Sequence, residues 1–429
     1  MLSTFKRLWR DRRGNTLAIA GAALPLVIGS AGLASDTIQW TLWKRQLQRA
    51  ADSAATAGAY AKVAGKPIGT CSNISGATYT DPVAYDIKKN NQTGIATTCT
   101  VTNPPTVGGF TADANAIRVS LSIQKRLSFS GLFLTTTPTI TATSTATVVP
   151  SGDYCVISLE DQAVTGIDAT GSTDVDLGCG MITNSTSMTA AVATGSASVG
   201  ASPIAAVGGI PASTRWKTGT VLQPFMPAQA DPFASVPVPT PTSCGPFPNV
   251  KNGDVVTITN PTGTRCFNST MDPKGEVTLE PGVYVMDGAG LSLNNTGSKI
   301  TCNGCVIIFT SSTAASNPAS IGSPNVNGGV LSLVAPASGT YKGIMMYQDR
   351  RATADNGIQV NGNNGSKLEG AFYFPKADFT YNGNAGVNSA CLQMVVKRIS
   401  FTGNSSVTNT CPSGSGAGSF KGSKIRLVE

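Results

Sequence analysis

Acid–base chemistry on a sugar needs carboxylates gathered on one surface, and one stretch of this chain gathers them densely. "MMYQDRRATADNG" holds Asp349, Arg350, Arg351 and Asp355, and Glu369 and Asp378 follow where a later turn of chain would bring them back alongside. Paired carboxylates there would flank a glycosidic bond, or hold a calcium ion beside a basic residue. The plainer alternative is a charged corner between strands, and that is the expected one. Histidine is absent from the sequence, which removes every Ser–His–Asp and Cys–His nucleophile system. Gly-x-Gly-x-x-Gly and phosphate-loop signatures are missing as well. Cys302-Asn-Gly-Cys305 has the spacing of half a zinc site, but a zinc site wants a second pair or histidines. A redox motif would open a helix, whereas "CVIIFT" continues as a strand. Cys302 and Cys305 are therefore expected as a local disulfide or two buried thiols. No catalytic residue, metal or cofactor is expected, and the chain does not read as an enzyme.

What would position these groups is a β-rich framework. The sequence has 429 residues, too many for one compact domain of ordinary size. Charged residues make up 13% and there are 47 glycines, a composition poor in salt-bridged helices and rich in turns. The hydrophobic share of 41% is enough for a sizeable core. The net charge of +8 hints at nucleic acid, but Lys6, Arg7, Arg10, Arg12 and Arg13 crowd the start against Asp11 alone. No basic stripe with interleaved aromatics follows, so no nucleic-acid partner is expected. Ten cysteines (Cys71, Cys99, Cys155, Cys179, Cys244, Cys266, Cys302, Cys305, Cys391 and Cys411) sit in glycine-rich loops. An even number in that setting points to disulfides in an oxidising compartment. Pairing of sequence neighbours is the simplest connectivity, 71 with 99, 155 with 179, 244 with 266 and 391 with 411.

The basic cluster has its better explanation in a membrane. Residues 1–13 form a basic tail, and Gly14 to Ser35 carry no charge over 22 residues. As a helix this run spans about 33 Å, enough for a bilayer's apolar core. Pro25 lies within it and calls for a kink or a packing partner. Trp40 and Trp43 stand where interfacial aromatics anchor a span, and the preceding basic residues should hold the N-terminus in the cytoplasm. A cleaved signal would be shorter; cleavage after Ala34 in "SAGLAS" is the alternative. Beyond the span, Trp43, Leu47, Ala50, Ala54, Ala57 and Ala61 recur every three or four residues. That face of a long amphipathic helix covers either its own domain's sheet or a partner helix, by self-association. Ala18, Ala22 and Gly29 would allow close helix approach within the bilayer.

"DRRGN", an apolar span with a proline, "GLASD" and then "WTLWKRQLQRAADSAATAGA" resemble the N-terminal module of TadG-like proteins, from the tight-adherence (Flp-type) pilus assembly system of bacteria. The resemblance covers roughly the first 65 residues. It implies a non-enzymatic, membrane-anchored component that contacts other pilus assembly proteins or pilins, with its C-terminal part outside the inner membrane. Related pilins are cut after a glycine that has a glutamate five residues on. Here Gly14 is followed at that position by Ile19, and an uncleaved anchor is expected. Some TadG-like proteins carry a von Willebrand-type domain with a D-x-S-x-S metal site. Asp168-Ala-Thr170-Gly-Ser172 comes close, but in β texture without alternating helices.

The remaining chain divides by texture. Residues 36–150 read as the helix plus a short antiparallel sheet, a small membrane-proximal α+β unit built on "AIRVSLSIQKRLSFSGLF" and "TITATSTATVVP". Residues 151–213 and 251–411 are short apolar alternations broken by Gly, Ser, Asn and Asp, with Asn-Gly at Asn252, Asn303, Asn327, Asn356, Asn361, Asn364 and Asn382. A mainly-β ectodomain is expected, a right-handed parallel β-helix before a β-sandwich built from hairpins. Residues 214–250 form a proline-rich connector, either packed along the β flank or a semi-rigid spacer. Residues 412–429 are a tail. Two rival functions remain: a membrane-tethered protein that binds or cleaves polysaccharide, and a secreted adhesin.

Overall fold

The computed structural model describes residues 15–429 apart from 91–95, 97, 354, 363–364, 384–387, 404–405 and 409–416. Two compact units make up the chain, one of residues 1–149 with 425–429 and the other of residues 150–424.

The first unit is organised by one helix, α1, Asn15–Val63, which runs through Pro25 without interruption. Its two halves differ in what surrounds them. From Ile19 to Leu42 the large apolar side chains are exposed, Leu26 to 75%. From Trp43 on, Leu47, Ala50, Ala51, Ala54, Ala55 and Ala59 are buried, the three- and four-residue spacing of one helical face. They close on an antiparallel sheet of β1, Thr98–Thr102, β2, Ile117–Gln124, and β3, Thr139–Ser158. Every second residue of β2 points inward: Ile117, Val119, Leu121 and Ile123, as the period of a strand requires. In register with them lie Ala146, Ala142 and Ile140 of β3. Gly58 lets α1 come close, because a β-carbon there would stand 2.9 Å from Ile117 and 3.0 Å from Val83.

A second helix, α2, Pro82–Asn90, adds Val83, Ala84 and Ile87 to the same core. Proline at its first position and an aspartate before it make a favourable start. The Ala84 N–H donates to Asp81 at 3.0 Å, and the N–H groups of Thr70 and Cys71 donate to the other carboxylate oxygen. The Cys71–Cys99 disulfide ties that loop to β1. Thr145 of β3 donates its N–H to the Glu429 carbonyl at 2.7 Å, so the last residues belong to this unit. The sequence reads "AIRVSLSIQKRLSFSGLF" as one strand-like run, whereas β2 stops at Gln124. The rest turns through a loop holding one 3-10 turn, Ser130–Leu132.

In the second unit every strand pairing described is parallel. The hairpin ladders that a sandwich would need are thus not what its Asn-Gly turns make. The pairings line up in columns. One runs Val277, Ile300, Leu331, and beside it Leu279, Cys302, Leu333, Leu368. A second runs from Val285 to Ile308 to Tyr347 to Tyr373 to Val395 to Ile157 to Ile182 to Ala205. A third passes through Val326, Val360, Tyr381, Phe401, Ala169 and Ala193. Buried aromatics stack along the interior, Phe374 on Phe379 at 5.6 Å and Phe372 on Phe374 at 6.1 Å.

The two β-rich stretches that the sequence separates are one stack. Residues 394–396 pair with 156–158, and 399–401 pair with 167–169. The chain enters the stack in its middle, builds out to residue 223, crosses to the far end, and winds back to where it entered. The proline-rich stretch makes that crossing packed on the flank. Gln229 exchanges hydrogen bonds with Asn184 at 2.7 and 2.9 Å, Tyr373 donates to Asp231 at 2.7 Å, and Tyr341 donates to the Pro237 carbonyl at 3.1 Å. Disulfides join Cys155 to Cys179, Cys244 to Cys266 and Cys302 to Cys305. Cys391 is disulfide-bonded, and Cys411 lies outside the described residues.

Candidate functional site

The fold brings Asp378 back beside the charged cluster, its backbone in register with Asn356 on the neighbouring strand, but ties the described carboxylates up with basic partners. Asp349 is 1% exposed at the end of the strand Ile344–Gln348. Arg351 grips its carboxylate through Nη2 at 2.6 Å and Nε at 3.1 Å, and the Thr310 hydroxyl donates to it at 2.8 Å. Burial pushes the Asp349 carboxyl up, but the hydrogen bonds from Arg351 and Thr310 outweigh it and hold the group below the usual carboxylate range. Arg350 turns away and donates to the carbonyls of Ala234 at 2.6 Å and Val236 at 2.8 Å, clamping the crossing segment. Glu369 pairs with Lys367 at 3.2 Å, and Asp378 takes Arg398 Nε at 2.6 Å. The side chain of Asp355 lies outside the described residues.

Asp378 and Arg398 share a small depression with Asp168, whose carboxyl is pushed up by burial. Thr170, two residues on, accepts a hydrogen bond from Thr194 at 3.3 Å. Among the described residues no cluster of three or more Cys, Asp or Glu is spaced to hold a metal ion. Arginine-paired carboxylates of this kind brace neighbouring turns of chain.

The other candidate surface is α1. Gly14 lies outside the described residues, while Ala34 and Ser35 fall within unbroken helix. α1 is long and apolar enough to cross a membrane. Its small-residue face is filled by its own domain, with Leu47, Ala50, Ala54 and Ala61 buried and Ala57 half-buried. Of the two tryptophans read as interfacial anchors, only Trp40 is exposed. Trp43, one turn further along where α1 has reached the sheet, is buried in the core with Lys125 Nζ 5.4 Å from its ring centre.

Sequence reading missed a contact at the junction of the two halves. Asp36 is 5% exposed, and its carboxylate accepts hydrogen bonds from the backbone N–H groups of Phe129 and Ser130. Phe129 lies against Gly32, one turn back along α1, where any β-carbon would collide with the ring. Leu132 and Phe133, beyond it, are 77% and 73% exposed. The signal was "KRLSFSGLFL", whose apolar residues do not alternate as a strand's should.

Neither a curated protein nor a solved structure matches the chain. Residues 14–61 match the family model described as Flp pilus-assembly TadE/G-like, the stretch that α1 occupies almost end to end. The chain thus carries, in its N-terminal helix, a TadE/G-like domain of Flp pilus assembly.

Proposed function

We propose that this chain is a non-enzymatic component of tight-adherence pilus assembly, held in the inner membrane by the exposed half of α1. Its N-terminus lies in the cytoplasm and the rest outside, and it acts through protein contacts as an anchor or an initiating minor subunit. One observation carries this reading: a single unbroken helix, matched by the TadE/G-like family model, leaves its large apolar side chains exposed from Ile19 to Leu42 and buries a face of Leu and Ala from Trp43 on. An exposed run of Ile, Leu and Val this long is unfavourable in water and favourable in lipid. The basic tail sets the orientation, and the disulfides suit an oxidising exterior.

The stack of parallel strands is proposed as a right-handed parallel β-helix. Columns of like residues at the same place in each turn support this, as does the strong preference for right-handed crossovers between parallel strands. Such a rigid stack offers flat faces for pilins or other assembly proteins. The arginine partners of Asp349 and Asp378 favour a structural over a catalytic role for those carboxylates.

Protease treatment of intact spheroplasts tests the reading. The expected result is an unprocessed, membrane-bound chain digested from the periplasmic side. A soluble product beginning after Ala34 would overturn it.

A further inference from the structure

We propose that the loop 127–134 is a second membrane-contacting element, docked on α1 so that Leu132, Phe133 and Leu134 seat in the outer boundary of the bilayer. The proposal rests on the reading of α1 as a membrane span, and four observations within the first unit carry it.

The loop is fixed rather than free, because Asp36 accepts the N–H groups of Phe129 and Ser130 at the foot of the 3-10 turn. Its docking runs toward the lipid-facing half: from Asp36 the Phe129 ring reaches back to Gly32, about 6 Å along the helix axis. The exposed apolar residues of the loop are therefore continuous with those of α1, where Leu33, Ile28 and Val27 are also uncovered. Finally, Lys125 and Arg126 are exposed just before the loop, at the level where cationic side chains meet anionic headgroups. Phe129 and Phe133 pack on each other with centres 5.4 Å apart, so the tip presents a preformed apolar surface. A loop that exposes Leu, Phe and Leu in succession to water loses the free energy that a membrane surface would return.

The test uses the full chain reconstituted in phosphatidylcholine vesicles containing phosphatidylglycerol, with the photoreactive residue p-benzoylphenylalanine at one position at a time. Leu26 reports on the span, Phe133 on the loop, and Tyr79, 81% exposed, on the aqueous surface. Position 133 is expected to label lipid as position 26 does, and on the order of tenfold more than position 79, the ratio that burial of a large apolar side chain sustains. Gly32→Leu, which leaves the span apolar but evicts Phe129, is expected to lower labelling from 133 several-fold and leave labelling from 26 unchanged. Strong labelling at 26 with only background at 133, or crosslinks from 133 to protein instead of lipid, would overturn the loop proposal while the span reading stands. No lipid label at 26 would overturn both. Undiminished label from 133 in the Gly32→Leu chain would refute the docking on α1.

Discussion

At the scale of single residues, Asp349 shows how the sequence's most chemical-looking cluster becomes structural. Its carboxylate is buried and bound by Arg351 and Thr310, so removing the charge leaves Arg351 without its partner. Asp349→Asn is expected to cost about 1–3 kcal/mol, less than a fully buried pair because Arg351 is half exposed. A urea midpoint measured at neutral pH reads this directly. The pH dependence has a definite sign. A carboxyl held below its ordinary range when folded contributes stability that is fully present above that range, and loses it as pH falls through the folded value. The gap in midpoint between the natural chain and Asp349→Asn should therefore shrink on acidification. A gap that widens instead would show that the ionised form is not the one bound.

At the scale of elements, the contact of α1 with β2 depends on one residue without a side chain. Gly58 stands where a β-carbon would meet the branched Ile117 and Val83, and neither has a flexible end to move aside. Gly58→Val is expected to destabilise the first unit by about 1–3 kcal/mol through overpacking, even though glycine is itself a poor helix former. Thermal unfolding followed by circular dichroism would register it; an unchanged or higher midpoint would mean that α1 sits farther from the sheet. These elements were largely readable in advance. Alternation at Ile117, Val119, Leu121 and Ile123 marks β2, and the Leu47–Ala50–Ala54 spacing marks the buried face of α1. Phe129 and Asp36, 93 residues apart, carry no such period. A carboxylate that caps a distant loop leaves no local pattern, and for the same reason Trp43 could not be told from Trp40 until the sheet beneath it was known.

At the scale of the whole molecule, the second unit is held by returns of the chain that no local pattern announces. Short strands and Asn-Gly turns were legible, but not that residues 394–401 lie against 156–169. The crossing segment is kept on the flank by Arg350, whose guanidinium serves the carbonyls of Phe233, Ala234 and Val236. Arg350→Ala is expected to speed proteolysis within residues 229–243 by roughly ten- to a hundredfold, the equivalent of losing hydrogen bonds from a charged donor, with the strand stack still protected. A chain nicked between Pro239 and Thr242 should still elute as one particle, since strands from both fragments pair side by side. Separation of the fragments in native buffer would contradict that order of strands.

This arrangement also dictates a timetable. Residues 154–183 are synthesised early, yet the backbone groups along one of their edges find partners only when residues 394–401 have been made. Until then that edge stands open, an invitation to pair with any neighbouring chain. The stack can therefore close only after residues 394–401 have left the ribosome, and a chain interrupted before them is left with a raw seam.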